Sequence, residues 1–142
     1  MKQYAIGLVP GPVSVPEEFR RAYFENFGSA DLEEEFFLLY EENESLLRKL
    51  LKTKNAVTIQ SGEAMSVLWG ALKSTLLPGD RLLAVSNGVF GRGFGEMGMM
   101  LGMEVRIVEA PDGEFPDLDS IRTAAAEFHP RMITAVHCET PS

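Results

Sequence analysis

Short runs of apolar, mostly β-branched residues alternate with segments of helical periodicity through most of this 142-residue chain. This alternation is the strongest constraint on the fold. Four such runs predict strands at Ala56–Ile59, Leu82–Val85, Val105–Val108 and Met132–His137. Parallel strands need crossover connections, which are usually helices, so we predict an α/β fold with a mainly parallel sheet and helices on both faces. Arg106 in the third run indicates a strand nearer the sheet edge.

Apolar residues at three- and four-residue spacing predict the helices. A short helix is expected within residues 16–27, and a second helix begins after Asp31, its expected N-cap. Further helices are expected over residues 65–76 and, despite its glycines, in the segment Gly88–Gly102. The last predicted helix has Asp117 as its N-cap and stops before a proline.

The charge balance excludes several kinds of partner. Lys and Arg number 13 against 21 Asp and Glu, a net charge of −8, so we expect no nucleic acid and no anionic membrane surface as a partner. The longest run without a charge, Gln3–Pro16, is interrupted by prolines and predicts neither a transmembrane helix nor a signal sequence. A single cysteine, Cys138, excludes an internal disulfide framework and a multi-cysteine zinc site. With only two histidines as well, we expect no metal site. Because the chain shows no transmembrane helix or signal sequence, we expect a cytoplasmic protein.

Ligands of parallel α/β sheets bind beyond the carboxyl ends of the strands. The segment Gln60–Met65 joins a strand to a helix, where free backbone amides favour an anion such as phosphate. Such a turn also occurs for purely structural reasons, so both interpretations stay open at this point. At the next strand end, Phe90 lies between glycines, either as a core residue or as a contact for a flat ligand.

A second motif offers an alternative. Gly93, Gly95 and Gly98 match the spacing of dinucleotide-binding glycines, and Glu109 follows the next strand, where an acid could meet a ribose hydroxyl. The context departs from the fingerprint, because residues 87–92 separate the glycines from their strand. A nicotinamide-binding Rossmann domain is therefore the weaker interpretation.

Six short motifs then follow one another along nearly the whole chain: Pro10-Gly11-Pro12 with Val15-Pro16, Lys54-Asn55, Ser61-Gly62-Glu63-Ala64-Met65, Pro78-Gly79-Asp80, Asn87-Gly88-Val89-Phe90-Gly91 and His137-Cys138-Glu139-Thr140. Each is weak alone, but the ordered set is specific. It resembles the amino-terminal part of class V, fold-type I aminotransferases, which use pyridoxal phosphate, near the alanine-glyoxylate and serine-pyruvate group.

The resemblance implies that residues 16–142 are an incomplete part of the large domain of such an enzyme, truncated at its carboxyl-terminal side. It also implies that the Pro- and Gly-rich residues 1–15 are an extended arm that reaches the other subunit of a homodimer.

The resemblance further implies the contacts to pyridoxal 5'-phosphate. The amides of Glu63, Ala64 and Met65 would hold its phosphate, in agreement with the anion site expected at that helix start. Phe90 would stack on its pyridine ring, and Thr140 would bind its phenolic oxygen.

The two catalytic groups of the family cannot be assigned in this chain. The family uses a lysine that carries the cofactor as a Schiff base and an aspartate that pairs with the pyridinium nitrogen. The lysines here stand at other places in the motif pattern, at positions 2, 49, 52, 54 and 73.

The reaction that the resemblance implies is transfer of an amino group between a small amino acid, such as alanine or serine, and a 2-oxo acid, such as glyoxylate or pyruvate. Because no catalytic lysine is assigned, we expect the chain alone to be inactive. The alternative is a non-catalytic binding or interaction module with the same fold.

Overall fold

The computed structural model describes residues 13–26, 28–111 and 113–139. They fall into two compact units, one over Ser14–Gly62 and one from Glu63 onward. Of the arm predicted over residues 1–15, only 13–15 are described, and all three are exposed. The rest of that prediction lies outside the described residues.

The unit over Ser14–Gly62 contains two helices. Helix α1 spans Glu17–Arg21 and continues as a short 3-10 turn over Ala22–Phe24, within the range predicted for a short helix. Helix α2 spans Glu34–Leu50.

The N-cap of α2 is Glu33, so the predicted cap at Asp31 is wrong. The amides of Leu32 and Glu33 both donate to the carbonyl of Ser29, at 2.8 and 3.1 Å. This local turn keeps Asp31 outside the helix. The observed N-cap therefore lies two residues after the predicted one.

The predicted strand at Ala56–Ile59 is also wrong, because no strand among the described residues pairs with it. Side chains of α2 bond to this backbone instead. The Tyr40 hydroxyl accepts from the amide of Ile59 at 3.2 Å and donates to its carbonyl at 3.3 Å. Arg48 Nε donates to the carbonyl of Asn55 at 3.3 Å. A β-branched run forms a strand only where another strand supplies hydrogen-bond partners, and here a helix supplies them.

The unit from Glu63 onward contains a parallel sheet of three described strands in the order β2-β1-β3. Strand β1 spans Arg81–Ser86, β2 spans Glu104–Glu109 and β3 spans Met132–Ala135. The central strand is buried from its second residue onward, and β2 lies at an edge of this sheet, as predicted.

Three helices cover this sheet: α3 over Ala64–Thr75, α4 over Val89–Met100 and α5 over Leu118–Phe128. Leu72 of α3 and Met97 of α4 pack with Leu82 in one buried cluster. On the opposite face, the guanidinium of Arg106 lies 5.0 Å from the centre of the Phe128 ring in α5. The predicted α/β fold, with a parallel sheet and helices on both faces, is therefore confirmed.

Glycines allow α4 to lie close to the sheet. A Cβ atom added at Gly95 would lie 2.7 Å from Ile107 Cδ1, and one at Gly98 would lie 2.6 Å from Leu82 Cδ2. Together with Gly93, these are the glycines of the dinucleotide-binding alternative, and they lie inside a helix. They form no phosphate-binding turn, so the nicotinamide interpretation is wrong.

Glu109, the acid assigned to a ribose in that alternative, has another partner. It lies at the end of β2 and accepts a hydrogen bond from Arg92 Nε at 2.8 Å. This ion pair joins the first turn of α4 to the carboxyl end of β2.

Asp117 caps α5, as predicted. Its carboxylate accepts from the Ser120 hydroxyl at 2.7 Å and from the Ser120 amide at 2.8 Å. These hydrogen bonds hold the pKa of Asp117 below its ordinary value. A lowered pKa in the folded state stabilises the fold at neutral pH, and this contribution is lost as the pH falls through the folded-state pKa.

We predict that Gly95→Ala destabilises the chain by about 1–3 kcal/mol, because the added methyl group overfills the contact with Ile107. Urea unfolding followed by circular dichroism measures the change. Gly70→Ala is the matched control, since Gly70 lies in α3 with no atom within 4 Å of the added Cβ. It should stabilise the chain by about 0.5–1 kcal/mol. Equal effects of the two variants would contradict close packing of α4.

Candidate functional site

The candidate site lies at the carboxyl edge of the sheet. Val85 of β1 pairs with Ala135 of β3, so the segments that follow the two strands start side by side. A cavity of about 580 Å³ opens at this edge on the side of α5, lined mainly by apolar side chains together with Asn87 and His137. Among the described residues that line it are none of the proposed cofactor contacts. This is the edge at which ligands of parallel sheets bind.

The turn between β1 and α4 is held by a buried hydroxyl. Ser86, the last residue of β1, is fully buried. Its Oγ donates to the carbonyl of Gly88 at 3.0 Å and accepts from the amide of Gly88 at 3.4 Å. Both backbone groups of Gly88 are thereby satisfied in a buried position.

The start of α4 is capped from a distant part of the chain. The buried carboxylate of Glu139 accepts from the amide of Phe90 through Oε1 and from the amide of Gly91 through Oε2, each at 3.0 Å. The N-cap residue, Gly88, has no side chain that could do this. A Cβ atom at Gly88 would lie 2.4 Å from Glu139 Cγ, so the absence of a side chain leaves room for the carboxylate.

Phe90, the proposed ring contact, is half-buried at the second position of α4. Its backbone amide is one of the two amides that donate to the Glu139 carboxylate. Thr140, the proposed partner of the phenolic oxygen, lies outside the described residues. It follows Glu139 directly in the chain, so it is attached to the same carboxylate-bearing segment.

The start of α3 carries the proposed phosphate contacts. Glu63 is the N-cap, and its Oε2 accepts from the amide of Ser66 at 3.2 Å. The amides of Ala64 and Met65 have no hydrogen-bond partner among the described residues. Two free donors at a helix N-terminus suit an anion, while the Glu63 carboxylate adds a negative charge to the same turn.

The side chain of Met65, in the first turn of α3, reaches α4. A Cβ atom at Gly93 of α4 would lie 3.5 Å from the methyl carbon of Met65 in α3. The structure thus brings the helix start with free amides close to the helix that carries Phe90.

Sequence reasoning assigned no supporting role to Ser86 or Glu139. The glycines around Phe90, Gly88 and Gly91, indicated a close backbone approach to a flat ligand, whereas in the structure they leave room for Glu139 and Ser86. A Cβ at Gly91 would lie 2.7 Å from Ser86 Cα. Nothing in the sequence pairs Glu139 with Phe90, because 49 positions separate them.

The described ranges contain neither a membrane-spanning helix nor a cluster of metal ligands. No helix within them is both long and apolar enough to cross a membrane. Nor do three His, Cys, Asp or Glu side chains in those ranges come together in a group that could hold a metal ion.

No protein-family model matches the chain. It is 33% identical to an L-aspartate–glyoxylate aminotransferase of Paracoccus denitrificans over 94% of its own length and 34% of that protein. It is 29% identical to a 2-aminoethylphosphonate–pyruvate transaminase of Vibrio cholerae over 99% of its length and 39% of that protein.

The fold gives the same relationship. The crystal structure of an alanine–glyoxylate aminotransferase from Nostoc sp. matches with a TM-score of 0.84 and 27% identity, over 98% of this chain and 38% of that chain. The chain thus spans between a third and two fifths of the length of these relatives. Sequence and fold together show that the chain is homologous to class V aminotransferases.

Proposed function

We propose that this chain supplies the phosphate and ring contacts of a pyridoxal-phosphate site in a class V aminotransferase. The reaction is transfer of an amino group between a small amino acid, such as alanine or serine, and a 2-oxo acid, such as glyoxylate or pyruvate. The observation that carries the proposal is the similarity, along nearly the whole chain, to aminotransferases whose names contain glyoxylate or pyruvate.

The residues of the described site fit the cofactor. The amides of Ala64 and Met65, which have no hydrogen-bond partner in the described part of the chain, lie at a helix N-terminus, which is the usual place for a phosphate. Phe90 offers a half-buried aromatic face near the same sheet edge. We assign the phosphate to the amides of Glu63, Ala64 and Met65, the ring to Phe90 and the phenolic oxygen to Thr140.

When bound, the cofactor supplies the electron sink for the reaction. The residues of this chain bind and orient it: the α3 amides hold one end, and Phe90 restricts the tilt of the ring. We assign no catalytic residue among them, and we expect the 142-residue chain alone to bind the cofactor without turnover. A cytoplasmic location stays a prediction, supported by the single cysteine.

We also propose that the partner of this chain is a second copy. Leu39, Leu46 and Leu50 are seven and four residues apart, so they lie on one face of α2. They are 40%, 53% and 76% exposed. An apolar helix face of this kind favours association, in agreement with the homodimer that the resemblance implies.

We predict that Ala64→Pro weakens binding of pyridoxamine 5'-phosphate about tenfold, because it removes one amide that donates to the phosphate. Proline is compatible with this first helical position, and Glu63 before it has an extended backbone. Pyridoxamine 5'-phosphate carries the same ring and phosphate as the cofactor but no aldehyde, so it forms no Schiff base with surface lysines. Isothermal titration calorimetry measures the dissociation constant.

Leu118→Pro is the matched control for Ala64→Pro. It places proline at the first position of α5, after the extended residue Asp117. Leu118 lines the cavity beside α5, but it is not one of the proposed phosphate or ring contacts. We expect wild-type affinity for this variant. Unchanged affinity of Ala64→Pro would contradict the assignment of the phosphate to α3.

We predict that Glu63→Gln tightens binding of pyridoxamine 5'-phosphate by roughly twofold to fivefold. The glutamine oxygen can still accept from the Ser66 amide, while the negative charge beside the phosphate is removed. The same titration with Glu96→Gln, an exposed acid within α4, is the control and should show no change. Weaker binding by Glu63→Gln would show that this carboxylate supports the ligand.

We predict that the chain sediments as a dimer and that Leu46→Glu converts it to a monomer, because the charge enters the apolar face of α2. Leu38→Glu is the control: Leu38 is also exposed, but it lies about 100° from Leu39 around the helix axis. Sedimentation velocity distinguishes the two species. A monomeric wild type, or equal effects of both variants, would contradict this interface.

A further inference from the structure

Glu139 is the one buried acid among the described residues, and it is not assigned a contact with the cofactor. Its carboxylate bonds to two successive amides at the start of α4, those of Phe90 and Gly91, at 3.0 Å each. The first of these amides belongs to the residue whose ring is the proposed cofactor contact. The position of the Glu139 carboxylate is therefore linked to the position of Phe90 by one hydrogen bond.

The surroundings leave the carboxylate little freedom. Gly88 provides the space for its side chain, since a Cβ there would lie 2.4 Å from Glu139 Cγ. The Ser86 hydroxyl bonds to both backbone groups of Gly88. The contact is also charge-assisted, because a carboxylate meets the positive end of the α4 dipole.

We infer that Glu139 is a positioning residue of the proposed cofactor site, which sets the direction of the Phe90 ring by fixing the first turn of α4. This inference rests on the proposed function. The inference goes beyond the proposed function, because the resemblance assigns contacts to Phe90 and Thr140 and no role to Glu139. The same carboxylate links the segment that follows β3 to the start of α4.

The test is a double-mutant cycle in the 142-residue chain, read as the dissociation constant of pyridoxamine 5'-phosphate. Glu139→Gln keeps the size of the side chain but replaces one acceptor oxygen by an NH2 group. That group cannot accept from a backbone N–H, so one of the two hydrogen bonds is lost. We expect Glu139→Gln and Phe90→Leu each to weaken binding by about threefold to tenfold. The double variant should bind no more weakly than Phe90→Leu alone, because Glu139 acts through that ring.

Two controls separate positioning from simple stabilisation. Asp117→Asn makes the same acid-to-amide change at the cap of another helix and should leave the affinity unchanged. The affinity of Glu139→Gln for inorganic phosphate should also equal that of the wild type, because phosphate is bound by α3.

A second variant tests the position of the carboxylate directly. Gly88→Ala displaces the carboxylate without removing it and should reproduce the effect of Glu139→Gln.

Hydrogen exchange gives a readout that needs no ligand. The amides of Phe90 and Gly91 should be protected in the wild type, and at least one of them should lose protection in Glu139→Gln. Unchanged protection of both amides would overturn the inference even if the variant unfolded more readily elsewhere.

These measurements distinguish failure of the proposed cofactor site from failure of the positioning role of Glu139. If the wild type does not bind pyridoxamine 5'-phosphate, the proposed cofactor site fails and the inference fails with it. If the wild type binds, the proposed site stands. In that case, wild-type affinity of Glu139→Gln, or effects of the two substitutions that multiply, would overturn the positioning role alone.

Discussion

The candidate site depends on how closely α4 lies against the sheet. Gly91, Gly95 and Gly98 are four and three residues apart, so they share one face of the helix. A Cβ atom at each would lie within 2.7 Å of an atom of β1 or β2. Because no side chain separates this face from the strands, the position of the α4 axis is fixed. The position of Phe90, at the start of α4 near the sheet edge, is fixed with it.

The same close approach creates the need for a distant cap. Helices α3 and α5 are capped by the side chains of their own N-cap residues, Glu63 and Asp117. Helix α4 begins after Gly88, which has no side chain to offer, and its first amides are bound by Glu139 instead. The local sequence therefore sets where α4 begins, at Gly88, but a residue distant in the sequence, Glu139, caps its first amides.

Alternation of strand and helix patterns was sufficient to predict the sheet, because each of its strands has a neighbour in the same unit. The run Ala56–Ile59 has the same composition and forms no strand, since its backbone bonds to Tyr40 and Arg48 of a helix. The proposed contacts could be named from motifs, but their support by Glu139 could not. Hydrogen bonds over 48 and 49 positions leave no periodic pattern in a sequence.

The two neighbouring helix starts differ in the ligand that they can accept. In α3 the cap uses the amide of Ser66, and those of Ala64 and Met65 have no partner within the described ranges. In α4 the carboxylate of Glu139 occupies two amides, so an anion placed there would meet a negative charge at the donors it needs. In the proposed site, the phosphate is therefore assigned to the start of α3 and the ring to Phe90 at the start of α4. A ligand with a phosphate at one end and a flat ring at the other matches this arrangement.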